Sequence, residues 1–479
     1  MNFGKSREHR EFAALSRRSA LGLGLAAVPI VAMAACGDSE DGGATAPSVG
    51  AADADAMSIA TDAYVFGYPL VLMDVTRENG APANRFQHGD PPTPENEQVV
   101  RLNLDTLYSQ AWLDVRTEPM ILRVPAMEPA RYWLMQIMDA WSNTVHDPSS
   151  LDPQVTPGSA APPFTYAVTG PGWSGPLPDG VTQLAVPTGT AWLIGRLQFD
   201  GAADVDRVRE LQRQLELVPL SEWVEDPNAA HGDPGAEPAA AAYPAGIVAE
   251  MDGPTFFDRM GKVMALNPAA PADADAMRRF ATIGIVPGAS PTDVPADVLN
   301  AAAAEAKKRI PAYRNPNAED LNGWNFDPSI GAYGTDYDLR AIVAMQGLGA
   351  NLAKDAIYPT VHAVADDDGV SRRFRIRFAA GQLPPVNAFW SLTAYDADSH
   401  FVDNPAGIYA LGHQTAVVPG ADGSVQLAVQ SDDPGTGVPQ GNWLPIPATG
   451  AFSLTMRLYA PKSEAVDGTW RMPKLEQID

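Results

Sequence analysis

Arg373-Phe374-Arg375-Ile376-Arg377-Phe378 alternates charge and apolar bulk residue by residue. Successive side chains of a strand point to opposite faces, so this run predicts a strand with its arginines in water and its aromatic and aliphatic side chains in a core. Downstream, Ala388 to Tyr395, Val425 to Gln430 and Phe452 to Tyr459 repeat the pattern, with Asp422-Gly423 and Asp433-Pro434-Gly435 as turns between them. These elements predict a C-terminal β-sandwich of the jelly-roll kind over 356–479.

Upstream the pattern changes. Leu339 to Leu352, Pro295 to Lys308, Ala272 to Thr282, Pro254 to Ala265 and Val205 to Leu217 have helical spacing, which makes 201–355 a mainly helical region. Pro227 to Pro244, rich in Ala and Pro, reads as a surface excursion within it. Before Ala202 the chain is again a series of short apolar runs: Val99 to Leu107, Gln110 to Val115, Met120 to Val124, Tyr132 to Ala140, Phe164 to Thr169, Gln183 to Val186 and Trp192 to Gln198. With Pro/Gly turns between them they predict an N-terminal β-sandwich over 57–200. It is preceded by a helix from Met57 to Val75 that Pro69 bends or ends. The fold class is therefore mainly β with a helical middle region.

The first 36 residues read as an export signal: Lys5, Arg7, Arg10, Arg17 and Arg18, then an apolar run from Ala20 to Ala35. That run holds Gly22, Gly24 and Pro29 and is shorter than the roughly 20 residues that span a bilayer. Ser16-Arg17-Arg18-Ser19-Ala20-Leu21 resembles the twin-arginine motif. Met33-Ala34-Ala35-Cys36 resembles a lipoprotein cleavage box, with a tether over 37–56 behind it. Cys36 is then the lipidation site and membrane lipid the partner, which places the protein at the bacterial cell envelope. Cys36 is the chain's one cysteine, so intrachain disulfides, thiol nucleophiles and cysteine zinc sites are excluded. Loss of the signal takes the net charge from −25 to −28. A body so acidic is repelled by nucleic acids, which excludes them as partners.

Several separate motifs carry a family resemblance. In the first half they are Tyr64-Val-Phe-Gly-Tyr-Pro-Leu70, Arg101-Leu-Asn-Leu-Asp-Thr-Leu-Tyr108, Trp112-Leu-Asp114, Arg131-Tyr132, Asp139-Ala-Trp-Ser-Asn143 and Gly170-Pro-Gly-Trp173. In the second they are Tyr337 with Arg340, Asn387-Ala-Phe-Trp-Ser-Leu-Thr393, Asp422-Gly-Ser424, Asn442-Trp-Leu-Pro-Ile-Pro447, Arg457-Leu-Tyr459 and Gly468-Thr-Trp470. Together they resemble a bacterial family described by domains of unknown function 1254 (N-terminal) and 1214 (C-terminal). The resemblance implies an immunoglobulin-like β-sandwich, a helical insert and a C-terminal jelly-roll β-sandwich. Gly407-Ile408-Tyr409 stands where the family pattern has Asn-Arg-Tyr; if that arginine serves a ligand site in relatives, the ligand here differs.

In an extended strand Arg101, Asn103 and Asp105 share one face. They form a solvated face, or an Arg101 to Asp105 pair that orders the neighbouring loop, or a polar-ligand site, for which Tyr108 is a further candidate. Asp139, Trp141 and Asn143 close the Tyr132 strand, and an indole there suits either packing or a sugar ring. Tyr337 and Arg340 share a helix face. Trp390, Asn442 and Trp443 complete the ligand-binding candidates. A cleft between the two β domains is one place where these motifs converge, and a plain contact between the domains is the other.

Catalytic signatures such as His-Glu-x-x-His and Gly-x-Ser-x-Gly are absent, and the histidines show no ligand spacing. No metal site is predicted. Asp366-Asp367-Asp368-Gly369 is a candidate for calcium that lacks the alternating ligand pattern and reads more readily as a turn. Two function classes stay open. One is a carboxylate-based hydrolase acting on a carbohydrate through Asp105 and Asp139, which must lie about 5 to 10 Å apart. The other is a non-catalytic envelope protein that binds a glycan or a partner.

Overall fold

The computed structural model describes residues 51–93, 101–156, 161–227 and 243–478. The signal, Cys36, most of the tether and most of the Pro227 to Pro244 excursion lie outside the described residues.

The opening helix runs Ala51–Glu78 and passes through Pro69. It therefore starts inside the predicted tether and continues where proline was expected to bend or end it. An interior proline costs about 3 kcal/mol or more. Burial of Tyr64, Phe66, Leu70, Val71 and Leu72, each 2% exposed or less, stabilises the same segment by roughly 1.5 to 3 kcal/mol per large side chain, so packing outweighs the proline. These side chains meet the helices Gly253–Leu266, Ala296–Ala312 and Tyr337–Gly347 in one apolar core. Gly67 lets Met260 pack close against the helix, since a Cβ at that position would meet Met260 Sδ. The opening helix is long and apolar enough to cross a membrane by length and composition, yet 72% of that stretch is buried against the protein. It belongs to the helical layer rather than to the first β region.

The first β region pairs two sheets. One has the strand order Gln87–His88, Thr106–Asp114, Thr190–Gln198, Trp133–Asp139, Thr144–His146. The other runs Thr182–Ala185, Phe164–Thr169, Met120–Val124, Glu216–Pro219. Leu107, Leu113 and Met135 of the first meet Leu122, Tyr166 and Leu217 of the second in a shared core. The helix predicted from Val205 to Leu217 stops at Arg213, and Glu216–Pro219 becomes an edge strand of this region.

In the second β region Phe374–Phe378 pairs with Val425–Val429 and has the predicted alternation, with Phe374, Ile376 and Phe378 buried. Their sheet packs on a larger one in which Ala451–Tyr459 lies between Thr360–Val364 and Trp390–Tyr395. Short strands Glu319–Leu321 and Trp324–Phe326, from the region read as helical, extend that larger sheet. Among the described residues the architecture is thus several mostly antiparallel sheets with a helical layer between them in sequence.

Candidate functional site

The predicted strand from Val99 to Leu107 begins only at Thr106, with Val99 and Val100 outside the described residues. Arg101 has φ +53, and its N–H donates to Ser399 O at 2.8 Å. Arg457 Nη2 donates to the carbonyls of Arg101 and Leu102, at 3.1 and 3.3 Å, and Tyr395 Oη donates to Leu102 O at 2.7 Å. The backbone groups that a sheet neighbour would have satisfied are bonded instead by the second β region. Arg101, Asn103 and Asp105 are all buried all the same, in a loop rather than on one face of a strand.

Their partners come from across the chain. Arg101 donates to Thr455 Oγ1 and Ser453 Oγ at 2.8 and 3.0 Å. Asn103 Oδ1 accepts from Asp105 N–H at 2.7 Å and from Tyr459 Oη at 3.1 Å, which fixes the amide so that Nδ2 faces Thr106 Oγ1 and Tyr108 Oη, at 2.8 and 3.2 Å. Asp105 Oδ2 accepts from Ser391 Oγ at 2.6 Å. The expected Arg101 to Asp105 ion pair does not form.

Beside this network lies a cavity of about 210 Å³. The first β region contributes Arg101, Asn103, Tyr108 and Arg196, and the second contributes Tyr358, Thr455 and Arg457. Apolar side chains complete the lining: Ile194, Phe326, Ile330, Val343 and Leu348. Arg196 lies over the Tyr108 ring, 5.3 Å from its centroid, and donates to Gln136 Oε1 and Gly349 O at 2.6 and 3.2 Å. Among the described residues none of Arg101, Arg196 and Arg457 has a carboxylate ion pair. Burial lowers the pKa of Arg101. At Arg196 burial acts the same way, but Tyr108 and Tyr358 outweigh it and the pKa is raised. The Nε atoms of Arg101 and Arg196 are buried without an acceptor.

The remaining candidates go elsewhere. Asp139 and Asp105 cannot act as a pair. Asp139 lies opposite Ala191 and Thr106 opposite Gln198 on the same central strand, which puts the two carboxylates about 25 Å apart at roughly 3.3 Å per residue. Glycoside hydrolysis by this pair is thereby overturned. Asp139 Oδ1 instead accepts the N–H groups of Trp141 and Asn143, both at 2.9 Å. Trp141 is 2% exposed and its Nε1 donates to Pro268 O at 3.1 Å, so it offers no platform to a sugar. Arg340 is ringed by Phe66, Trp141 and Tyr337, with centroids 5.1, 5.3 and 5.2 Å away. Trp390 and Trp443 are in the second β core. Asn442 binds the backbone of Val418 and Gln426. Asp366 caps a hairpin turn through Gly369 and Gly450 N–H groups, and among the described residues no group of three or more His, Cys, Asp or Glu side chains gathers for a metal.

Arg196, Tyr358 and Thr455 were not foreseen. A signal for Arg196 existed: it is the one charge in Ala191-Trp-Leu-Ile-Gly-Arg-Leu197, a run otherwise fit for a buried strand. Below the cavity Asp355 faces Asp147, and burial together with the Asp147 hydrogen bond pushes its pKa up to about 8. Asp147 is lowered, because the hydrogen bonds from Asp355 and Lys354 outweigh its burial.

Two sheet pairs and a helical layer, with a cavity bordered by all three, define the class of protein. The family follows from the sequence: residues 83–219 match the family described as "Protein of unknown function (DUF1254)" and residues 355–463 match "Protein of unknown function (DUF1214)", in that order. No curated protein matches the chain. The crystal structure of VPA0106 from Vibrio parahaemolyticus is similar in fold, with TM-score 0.64, 22% identity and coverage of 88% of this chain and 100% of that one. An uncharacterised Burkholderia cenocepacia protein aligns at TM-score 0.42 and 14% identity, over 90% of this chain and 96% of that one.

Proposed function

We propose that the chain is an exported envelope lipoprotein, lipidated at Cys36, that holds a small polar ligand in the cavity between its β regions. In this reading the first β region is immunoglobulin-like and the second a jelly roll. The observation that carries it is the cavity wall: the buried side chains of Arg101, Arg196 and Arg457 border the same 210 Å³ space, and among the described residues none has a carboxylate ion pair. A buried charge is costly unless paired, and a bound polar ligand lowers that cost. The test is a thermal-shift screen of a soluble form beginning near Gly37 against sugars, oligosaccharides, calcium and small organic acids. A ligand that binds the folded state raises the melting point; no shift with any of them removes the ligand-binding reading. Lipidation is tested apart from it, by incorporation of a fatty-acid analogue in the wild type and its loss in Cys36→Ser.

A further inference from the structure

Three guanidinium groups, of Arg101, Arg196 and Arg457, and one carboxylate, of Asp327, line the cavity. Arg101 Nε and Arg196 Nε have no acceptor. Tyr108 Oη accepts from Asn103 Nδ2, and its own proton has no protein acceptor among the described bonds. Several acceptors, in contrast, are committed. Asn103 Oδ1 takes two hydrogen bonds, Thr455 Oγ1 takes one from Arg101, and the Asp327 carboxylate is held by Asn315 and Ser329. The hydroxyls of Tyr358 and Thr360 and the half-buried Gln346 amide each donate and accept.

A sugar hydroxyl both donates and accepts, so a site for sugars needs both kinds of group. This wall has both kinds, and its charge, three guanidinium groups to one carboxylate, is what favours an anion over a neutral sugar. Three guanidinium groups without a carboxylate ion pair add the sign of the charge: a buried cation is stable when paired, and an anion supplies the pair. The apolar part of the lining, with Ile194, Ile330, Val343 and Leu348, gains from a ligand that covers apolar surface. We propose that the ligand is a small organic acid, one carboxylate on an apolar body, with the carboxylate against Arg101, Arg196 and Tyr108. The proposal rests on the reading of the cavity as a ligand site. Inorganic phosphate fits less well, since it carries more acceptor oxygens than the leftover donors serve and nothing for the apolar wall.

The experiment measures melting point and affinity of the soluble form with hexanoate, benzoate, hexanamide, glucose and inorganic phosphate. Hexanoate or benzoate is expected to bind saturably, with a rise of about 3 °C at a hundredfold excess over Kd, while hexanamide gives none. Tyr108→Phe keeps the ring under Arg196 and is expected to weaken the acid about fivefold, and Arg196→Gln at least tenfold. A shift with glucose or phosphate alone overturns the organic-acid assignment and leaves the cavity a ligand site. No shift with any probe overturns both. Equal affinity of the acid for wild type and a folded Tyr108→Phe or Arg196→Gln protein overturns the placement of its carboxylate.

Discussion

Arginine is buried against aromatic rings in two places, and the two differ in what surrounds it. Arg340 sits among Phe66, Trp141 and Tyr337, with Asp139 and Asp273 as its electrostatic partners. Burial lowers the pKa of Arg340 and raises that of Asp139, and each supplies the other's missing counter-charge. Arg196 and Arg101 lie over Tyr108 and Tyr395, without a carboxylate ion pair among the described residues and with a cavity beside them. Arg340 Nε also lacks an acceptor, so an unbonded Nε does not by itself mark a ligand site. The cavity makes the difference.

The contrast sets the order of expected effects. Arg340→Met leaves Asp139 and Asp273 buried without their cation, and chemical denaturation is expected to show a loss of about 3 to 5 kcal/mol. A loss below about 1 kcal/mol would mean that the two clusters do not differ in kind. Next comes the Asp147–Asp355 pair. A carboxyl with its folded pKa raised to about 8 stabilises the fold fully below its unfolded pKa, and that contribution is lost as pH rises through about 8. Denaturation midpoints are therefore expected to fall between about pH 4 and 8 and to level off above that, and Asp355→Asn, which needs no proton, is expected to flatten that fall. An unchanged slope in the variant removes the shared-proton account. Arg196→Met removes a cation without a partner, so its cost is expected to stay under about 2 kcal/mol, from the lost bonds to Gln136 and Gly349. Trp141→Phe is the smallest: about 1 kcal/mol for the orphaned Pro268 carbonyl, with no change in ligand affinity.

Local pattern was legible where local forces act. Phe374–Phe378 alternates in sequence and in burial because its neighbours on both sides lie in one sheet. The strands from Met120 to Val124 and from Phe164 to Thr169 fall where turns and apolar runs put them. Pro69 misled because the cost of a proline is local while the burial that outweighs it comes from helices far along the chain. The loop from Arg101 to Asp105 misled for the same reason: its alternation is real, but Ser399, Tyr395 and Arg457 take its hydrogen bonds. Within the site, Arg101, Asn103 and Tyr108 were legible as a polar cluster. Their separation from Asp139 was not, since it depends on the register of the central strand.

Arg101 and Thr455, bonded at the cavity, are 354 residues apart in the chain. Contacts of such separation form late in folding, after the loop between them has been closed at an entropic cost. Neither β region holds all of the wall, so a fragment from either half carries only part of the site. Binding at this cavity would report that the whole polypeptide, from the first β region to the last strand of the second, had been synthesised and folded.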